Sequence, residues 1–255
     1  MKGVVITGAS SGLGASLARA YAAPGVCLGL IGRNRERLAA TEEACREAGA
    51  SVVCLAADIA DSALIGDWLG AFDADHPVGL LVANAGTSAG PARDEPCEGL
   101  DRAARQVRTN LLGVINSVEP LAARMAERGR GQIAVVASIA GLRGLPDSPA
   151  YSASKAGIRA YGEALRARLK PYGVSVTVIC PGFFDTPMTD RFKGATPFLH
   201  SLENTTRLVK RALARRRPRL SFPWPLVLGL RCLDVGPAWF GDAMIKSMRF
   251  HIVSE

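Results

Sequence analysis

Short apolar, β-rich runs alternate along this chain with longer segments of helical period, and that alternation constrains its fold more than any other feature. Val4–Ile6 reads as a strand and Gly12–Ala23 as a helix, then Val26–Ile31 as a strand and Arg35–Ala48 as a helix. Val52–Ala56, Leu80–Ala83, Gln132–Ala137 and Val174–Ile179 are further short apolar runs, while Leu100–Arg128 and Ala150–Pro171 carry helical periodicity. Strands that are apolar throughout belong to parallel sheets covered on both faces. Parallel neighbours need crossover connections, which helices supply. The pattern therefore predicts an α/β fold, a doubly wound parallel sheet with helices on both faces. The ligand of such a sheet binds outside the carboxyl ends of the strands. At 255 residues, the chain fits one domain over 1–255 with ample core.

The first strand meets the first helix through Thr7-Gly8-Ala9-Ser10-Ser11-Gly12-Leu13-Gly14. Glycines allow a tight turn and close approach to a pyrophosphate, and the helix N-terminus offers unpaired N–H groups to phosphates. A glycine triplet alone is also compatible with an ordinary βα turn, but this one stands between a strand and a helix, as a dinucleotide site requires. Its spacing is GxxxGxG rather than GxGxxG. The second strand ends Ile31-Gly32-Arg33-Asn34, with no carboxylate to bind a ribose and select NAD(H). Arg33 instead offers a fork of donors suited to a 2′-phosphate, so NADP(H) is the expected cofactor. Arg35 and Arg37 read as surface charges.

Tyr151-Ser152-Ala153-Ser154-Lys155 lies in a predicted helix, where residues i and i+4 are neighbours. A phenol of pKa near ~10 is a poor acid/base at neutral pH, and a fixed cation beside it favours phenolate. Such a pair can exchange a proton with a carbonyl or hydroxyl. Ser138, thirteen residues upstream, ends the preceding strand, where a hydroxyl can steady charge on a substrate oxygen. Asn110 sits inside the long helix, a slightly unfavourable place for Asn, and reads either as a packing polar group or as a functional one.

In combination these motifs resemble the short-chain dehydrogenase/reductase family over about residues 1–190. The resemblance implies a Rossmann-like fold and a catalytic set of Asn110, Ser138, Tyr151 and Lys155. In the family the matching Asn kinks its helix and holds a water that relays protons to the lysine. Asp58-Ile59 resembles the adenine-contacting pair, and Asn84-Ala85-Gly86 the family's NAG motif, with Ala83 where another Asn is common. Pro181-Gly182 is followed by Phe183-Phe184-Asp185-Thr186, and Thr186 matches the position that contacts the nicotinamide carboxamide. The implied cofactor-binding residues are Gly8, Ser10, Ser11, Gly12, Leu13, Gly14, Arg33, Asn34, Asp58, Ile59, Asn84, Ala85, Gly86, Tyr151, Lys155, Pro181, Gly182, Phe184 and Thr186. NADP-binding members often carry a basic residue before the middle glycine. Ser11 stands there, so the NADP(H) expectation rests on Arg33.

Beyond residue 187 the resemblance thins. Phe183–Leu199 reads as a mobile loop, a basic helix follows near Leu202–Arg217, and Ser221–Leu233 is rich in Pro, Trp and Leu. The net charge of +8 is located here: Arg207, Lys210, Arg211, Arg215, Arg216, Arg217, Arg219 and Arg231 fall between Asn204 and Leu233 with no acidic residue. Taking those eight from 31 Lys and Arg leaves 23, which balance the 23 Asp and Glu. One reading of the segment is a hydrophobic substrate lid or subunit contact beside a solvated basic helix. The other is a peripheral membrane contact through residues 207–233, with Arg215–Arg217 on headgroups and Phe222–Leu230 at the acyl boundary. Phe222–Leu230 is too short to span a bilayer.

The six cysteines are scattered without metal-ligand spacing and read as reduced, mostly buried thiols, and the three histidines do not cluster, so no metal site is expected. Val4-Val5-Ile6 is too short for a signal-peptide core, which suits a cytoplasmic protein. No nucleic-acid module is recognisable, and nucleic acid is not an expected partner. The expected activity is NADP(H)-dependent reduction of a ketone or aldehyde, or oxidation of a secondary alcohol, on a bulky or lipophilic substrate. The resemblance implies a homodimer or homotetramer. The competing expectation is a cofactor-binding regulatory or scaffold protein without turnover.

Overall fold

The computed structural model describes residues 2–91, 95–194, 196–247 and 250–252. Its strands are β1 (Lys2–Thr7), β2 (Val26–Gly32), β3 (Ser51–Ala56), β4 (Val78–Ala83), β5 (Gly131–Val136), β6 (Val174–Pro181), β7 (Phe192–Gly194), β8 (Arg219–Phe222) and β9 (Phe250–Ile252). Seven form one parallel sheet in the order β3-β2-β1-β4-β5-β6-β8. The short strands β7 and β9 pair antiparallel on their own. The helices are α1 (Gly12–Tyr21), α2 (Arg35–Glu47), α3 (Ser62–Asp75), α4 (Leu100–Val107), α5 (Gly113–Glu127), α6 (Pro149–Leu169), α7 (Leu202–Ala214), α8 (Trp224–Val235) and α9 (Ala238–Ser247).

The strands are apolar throughout because both faces are covered. Val5, Leu81, Val135 and Val178 point into a core with Leu69 of α3, Leu121 of α5 and Ile158 of α6. Val4, Ile6, Leu28, Val82 and Ile179 point into a second core with Leu17 of α1, Leu38 of α2 and Val209 of α7. Adjacent residues on one strand thus enter opposite cores, as a period of two requires. The doubly wound parallel sheet is the predicted fold. Its order reverses at β1, which lies between β2 and β4, so a crevice opens there at the carboxyl ends.

Several local readings change. The segment read as one helix over Leu100–Arg128 is divided by a single π-turn, Arg108–Leu112, that lodges Asn110. Phe183–Leu199 contains a 3₁₀ turn at Thr189–Arg191 and the strand β7, and Phe184 bridges His200. Phe222–Leu230 is not one lipid-facing face. Phe222 ends a sheet strand at 7 % exposure, and Leu230 of α8 is 5 % exposed. Arg215–Arg217 precede β8 and Trp224 follows it, so the four-residue strand puts about 13 Å between headgroup and acyl candidates. Among the described residues no helix is long and apolar enough to cross a membrane. Cys27, Cys45 and Cys180 are buried, but Cys97 and Cys232 are exposed, which departs from the expectation of mostly buried thiols.

Candidate active site

The glycine turn at the end of β1 takes a shape that side chains would obstruct. Gly8 and Gly12 have φ of 69° and 52°, and a Cβ on Gly8 would stand 2.9 Å from Ala85 Cα. Thr7 ties this turn to β4: its Oγ1 accepts from Asn84 N and Ala85 N, each at 3.0 Å, and its carbonyl accepts from Asn84 Nδ2 at 3.0 Å. No side chain caps α1, so its first-turn N–H groups remain available to an anion. Gly8, Ser10, Ser11, Gly12 and Leu13 line a cavity of about 700 Å³. Gly14 does not line it. A Cβ there would lie 2.2 Å from Gly8 O, so this glycine lets α1 pack on the turn. The residues fit a dinucleotide: an open helix N-terminus, a turn without side chains, and a cation at the mouth.

That mouth lies at the end of β2. Arg33, Asn34 and Arg37 line it, Arg33 and Arg37 being exposed. Arg37 belongs to the cavity although the sequence marks it only as a surface charge. Asn34 Oδ1 is engaged in capping α2, accepting from Arg37 N at 2.8 Å. After β3, Ile59 lines the cavity and Asp58 does not. Asp58 is exposed, and its Oδ1 accepts from Ala60 N at 2.9 Å in the turn that presents Ile59.

At the far end, Ser138 follows β5, and its Oγ accepts from Ala140 N at 3.1 Å. Tyr151 stands in the first turn of α6 with Lys155 one turn later, Nζ 5.7 Å from the ring centroid. Lys155 is 4 % exposed and donates to Val136 O at 3.0 Å. Burial pushes its ammonium down to about 8, against a smaller upward effect of Cys180. Burial also holds the Tyr151 phenol above its ordinary value, opposed by its hydrogen bond with Ser138. The expectation that Lys155 lowers the phenol does not hold here. The ammonium lies over the ring face and is occupied by a carbonyl, and burial disfavours both charged forms.

Asn110 is fully buried and joins three elements. Its Nδ2 donates to Thr87 O at 2.9 Å and Ser154 Oγ at 3.0 Å, and its Oδ1 accepts from Thr87 N at 2.7 Å. Ser154 Oγ donates in turn to Tyr151 O at 2.7 Å. A Cβ on Gly86 would lie 3.3 Å from both Asn110 Oδ1 and Lys155 Nζ, so this position is glycine where the two side chains converge. Asn84, Ala85, Gly86, Ser138, Tyr151 and Lys155 all line the cavity, as do Pro181, Gly182, Phe184 and Thr186. Asn110 lies behind it.

Ile139, Leu145, Phe183, Met188, Phe192, Leu226 and Leu230 add an apolar stretch of wall. Leu226 and Leu230 come from α8, far along the chain from the glycine turn. Their i, i+4 spacing marks one face of a helix, but nothing local says that this face meets the cavity.

A family model described as short chain dehydrogenase matches residues 2–196. An uncharacterized oxidoreductase of Myxococcus xanthus is 34% identical over 247 residues, 96% of each chain. A putative ketoacyl reductase of granaticin polyketide synthase from Streptomyces violaceoruber is 36% identical over 192 residues, covering 74% of this chain and 70% of that one. An actinorhodin polyketide ketoreductase variant solved with NADPH superimposes with a TM-score of 0.77 at 27% identity, over 89% of this chain and 97% of that one. With the sheet order, the glycine turn and the Ser138, Tyr151 and Lys155 constellation in one cavity, these matches make the chain a member of the short-chain dehydrogenase/reductase family of oxidoreductases.

Proposed function

We propose that the protein is an NADP(H)-dependent reductase of bulky or lipophilic ketones, with Tyr151 as the proton donor. The observation that carries this reading is one cavity lined together by the glycine turn and Arg33, by Ser138 and Tyr151, and by apolar residues that include Leu226 and Leu230 of α8. A nicotinamide cofactor supplies the hydride when bound. Gly8, Ser10–Leu13 and Arg33 would hold its phosphates. Lys155 would hold the nicotinamide ribose and Thr186 the carboxamide.

The chain's own residues supply the rest. Ser138 orients the carbonyl oxygen by hydrogen bonding and steadies charge that develops on it. Tyr151 delivers its phenolic proton to that oxygen. Asn110, through Ser154, fixes the backbone of the turn that carries Tyr151. The apolar wall excludes water and receives the substrate's hydrocarbon portion. The ketoacyl reductase name of one relative and the NADPH in one neighbour support this direction and cofactor.

Tyr151→Phe tests the reading directly. Turnover of a ketone panel is expected to fall by roughly 10²- to 10⁴-fold, with NADPH binding by fluorescence unchanged. Full activity in that variant contradicts the mechanism. NADPH binding by the wild type without turnover on any ketone favours the scaffold alternative.

A further inference from the structure

The first turn of α6 carries Tyr151, and the way this turn is held decides where the phenol points. Ser148 occupies the N-cap position but makes no side-chain cap, and its Oγ is buried without a hydrogen-bond partner. Pro149 has no N–H to satisfy. The Ala150 N–H, immediately before Tyr151, is met from outside the helix: it donates to Glu98 Oε2 at 2.9 Å. Glu98 lies between β4 and α4 and is only 6 % exposed. Its Oε1 accepts from Gln106 Nε2 at 3.5 Å. Gln106, 1 % exposed, accepts through its own Oε1 from Ala89 N at 2.9 Å. A buried polar chain therefore runs from Ala89, three residues past Gly86, through Gln106 and Glu98 to the residue before Tyr151.

Burying a carboxyl group is costly unless it is hydrogen-bonded, and a carboxylate at a helix N-terminus is favoured by the unpaired N–H groups and the helix dipole. A local Ser or Asp cap would satisfy the same N–H without tying the helix to anything else. An acceptor from another element does both. Glu98 thus joins the Tyr151 turn to the segment after β4, whose Gly86 borders Asn110 and Lys155.

We propose that Glu98 is a positioning residue for Tyr151, fixing the first turn of α6 so that the phenol stays against Ser138 and turnover, rather than cofactor binding, depends on it. The inference rests on Tyr151 being the proton donor, and its test separates the two claims. Wild type, Tyr151→Phe, Glu98→Ala, Glu98→Gln and Glu98→Asp are compared in NADPH-dependent ketone reduction, NADPH fluorescence titration and amide hydrogen exchange over residues 149–155. Glu98→Ala is expected to lose about tenfold or more in kcat, because small misplacements of reacting groups are costly, with the NADPH Kd within about twofold of wild type. Glu98→Gln keeps an acceptor oxygen for Ala150 but sets its amide N–H against Gln106 Nε2, and is expected to recover kcat in part.

Glu98→Asp keeps the charge but withdraws the acceptor. The alkaline limb of its pH–kcat profile should move to higher pH as the phenol leaves the Ser138 hydrogen bond that opposes the effect of burial. Exchange at Ala150 should quicken in Glu98→Ala and Glu98→Asp. Wild-type kcat in Glu98→Ala, or in Glu98→Asp with an unmoved profile and unchanged exchange, overturns the proposal. Glu98→Gln as slow as Glu98→Ala overturns it too. If Glu98→Ala does not fold, the Glu98→Asp profile and exchange decide. Equal turnover in wild type and Tyr151→Phe defeats the proton-donor reading instead, and exchange at Ala150 still shows whether Glu98 holds the turn.

Discussion

Arg33 stands exposed at the cavity mouth just past β2, where a carboxylate would otherwise face an adenosine ribose. Arg33→Asp is expected to weaken NADPH binding by roughly 10- to 100-fold, the worth of a charge-assisted contact, and NADH binding far less. Fluorescence titration with both cofactors measures it, and an unchanged NADPH-to-NADH ratio refutes the role. Lys155 carries a pH signature of its own. Burial lowers it to about 8, whereas the unfolded chain returns it to about 10.4. Between those values the unfolded state binds more protons, so the stability contributed by this residue rises with pH. In urea denaturation from pH 7.5 to 10, wild type should gain on Lys155→Met by up to about 3 kcal/mol. A constant gap contradicts the buried-ammonium assignment.

Among the elements, α8 and α9 are decided least by local pattern and most by docking. Leu230 and Ile245 pack with Ile139 and Leu142 beside Ser138. Arg143, in the same segment, reaches across to hold the hairpin: Nη1 donates to Leu233 O at 3.2 Å and Nη2 to Asp242 Oδ1 at 2.8 Å. Both carboxylates near it are exposed, so the ion pairs contribute little, and most of the effect lies in the hydrogen bond to Leu233 O and the packing. Arg143→Met is therefore expected to loosen the hairpin by roughly 1 kcal/mol. Because α8 supplies Leu226 and Leu230 to the cavity, KM for a bulky ketone should rise several-fold with kcat little changed. Hydrogen exchange across 224–247 should quicken. A change in kcat alone would mean that the hairpin does not shape the substrate wall. The π-turn at Arg108–Leu112 shows the same limit of local pattern: an Asn inside a helix marks an anomaly, but its partners, Thr87 and Ser154, are distant in sequence.

For the molecule as a whole, the sheet was legible because its cause is repeated along the chain. Each strand buried on both faces must be apolar throughout, and each crossover must be long enough for a helix. The glycine turn was legible because backbone conformation at Gly8 and Gly12 selects the residue directly. Tyr151 and Lys155 were legible because one helical turn makes them neighbours. Gly14, Asp58 and Asn34 carry structural duties that the motifs do not record: Gly14 lets α1 pack on the turn, Asp58 accepts in an Asx turn, and Asn34 caps α2 while lining the cavity. Between the basic and apolar stretches of the tail runs β8, a strand that the local pattern did not mark. What the sequence alone determined, then, was whatever depends on residues within a turn or a strand of each other: the strand periods, the glycine turn and the Tyr151–Lys155 neighbour pair. Which residues line the substrate wall, how Asn110 and Glu98 hold the turn of Tyr151, and the direction in which burial moves the phenol were decided only in three dimensions. Those properties arise from contacts between segments distant in sequence and from the removal of water around them, and no local pattern records either.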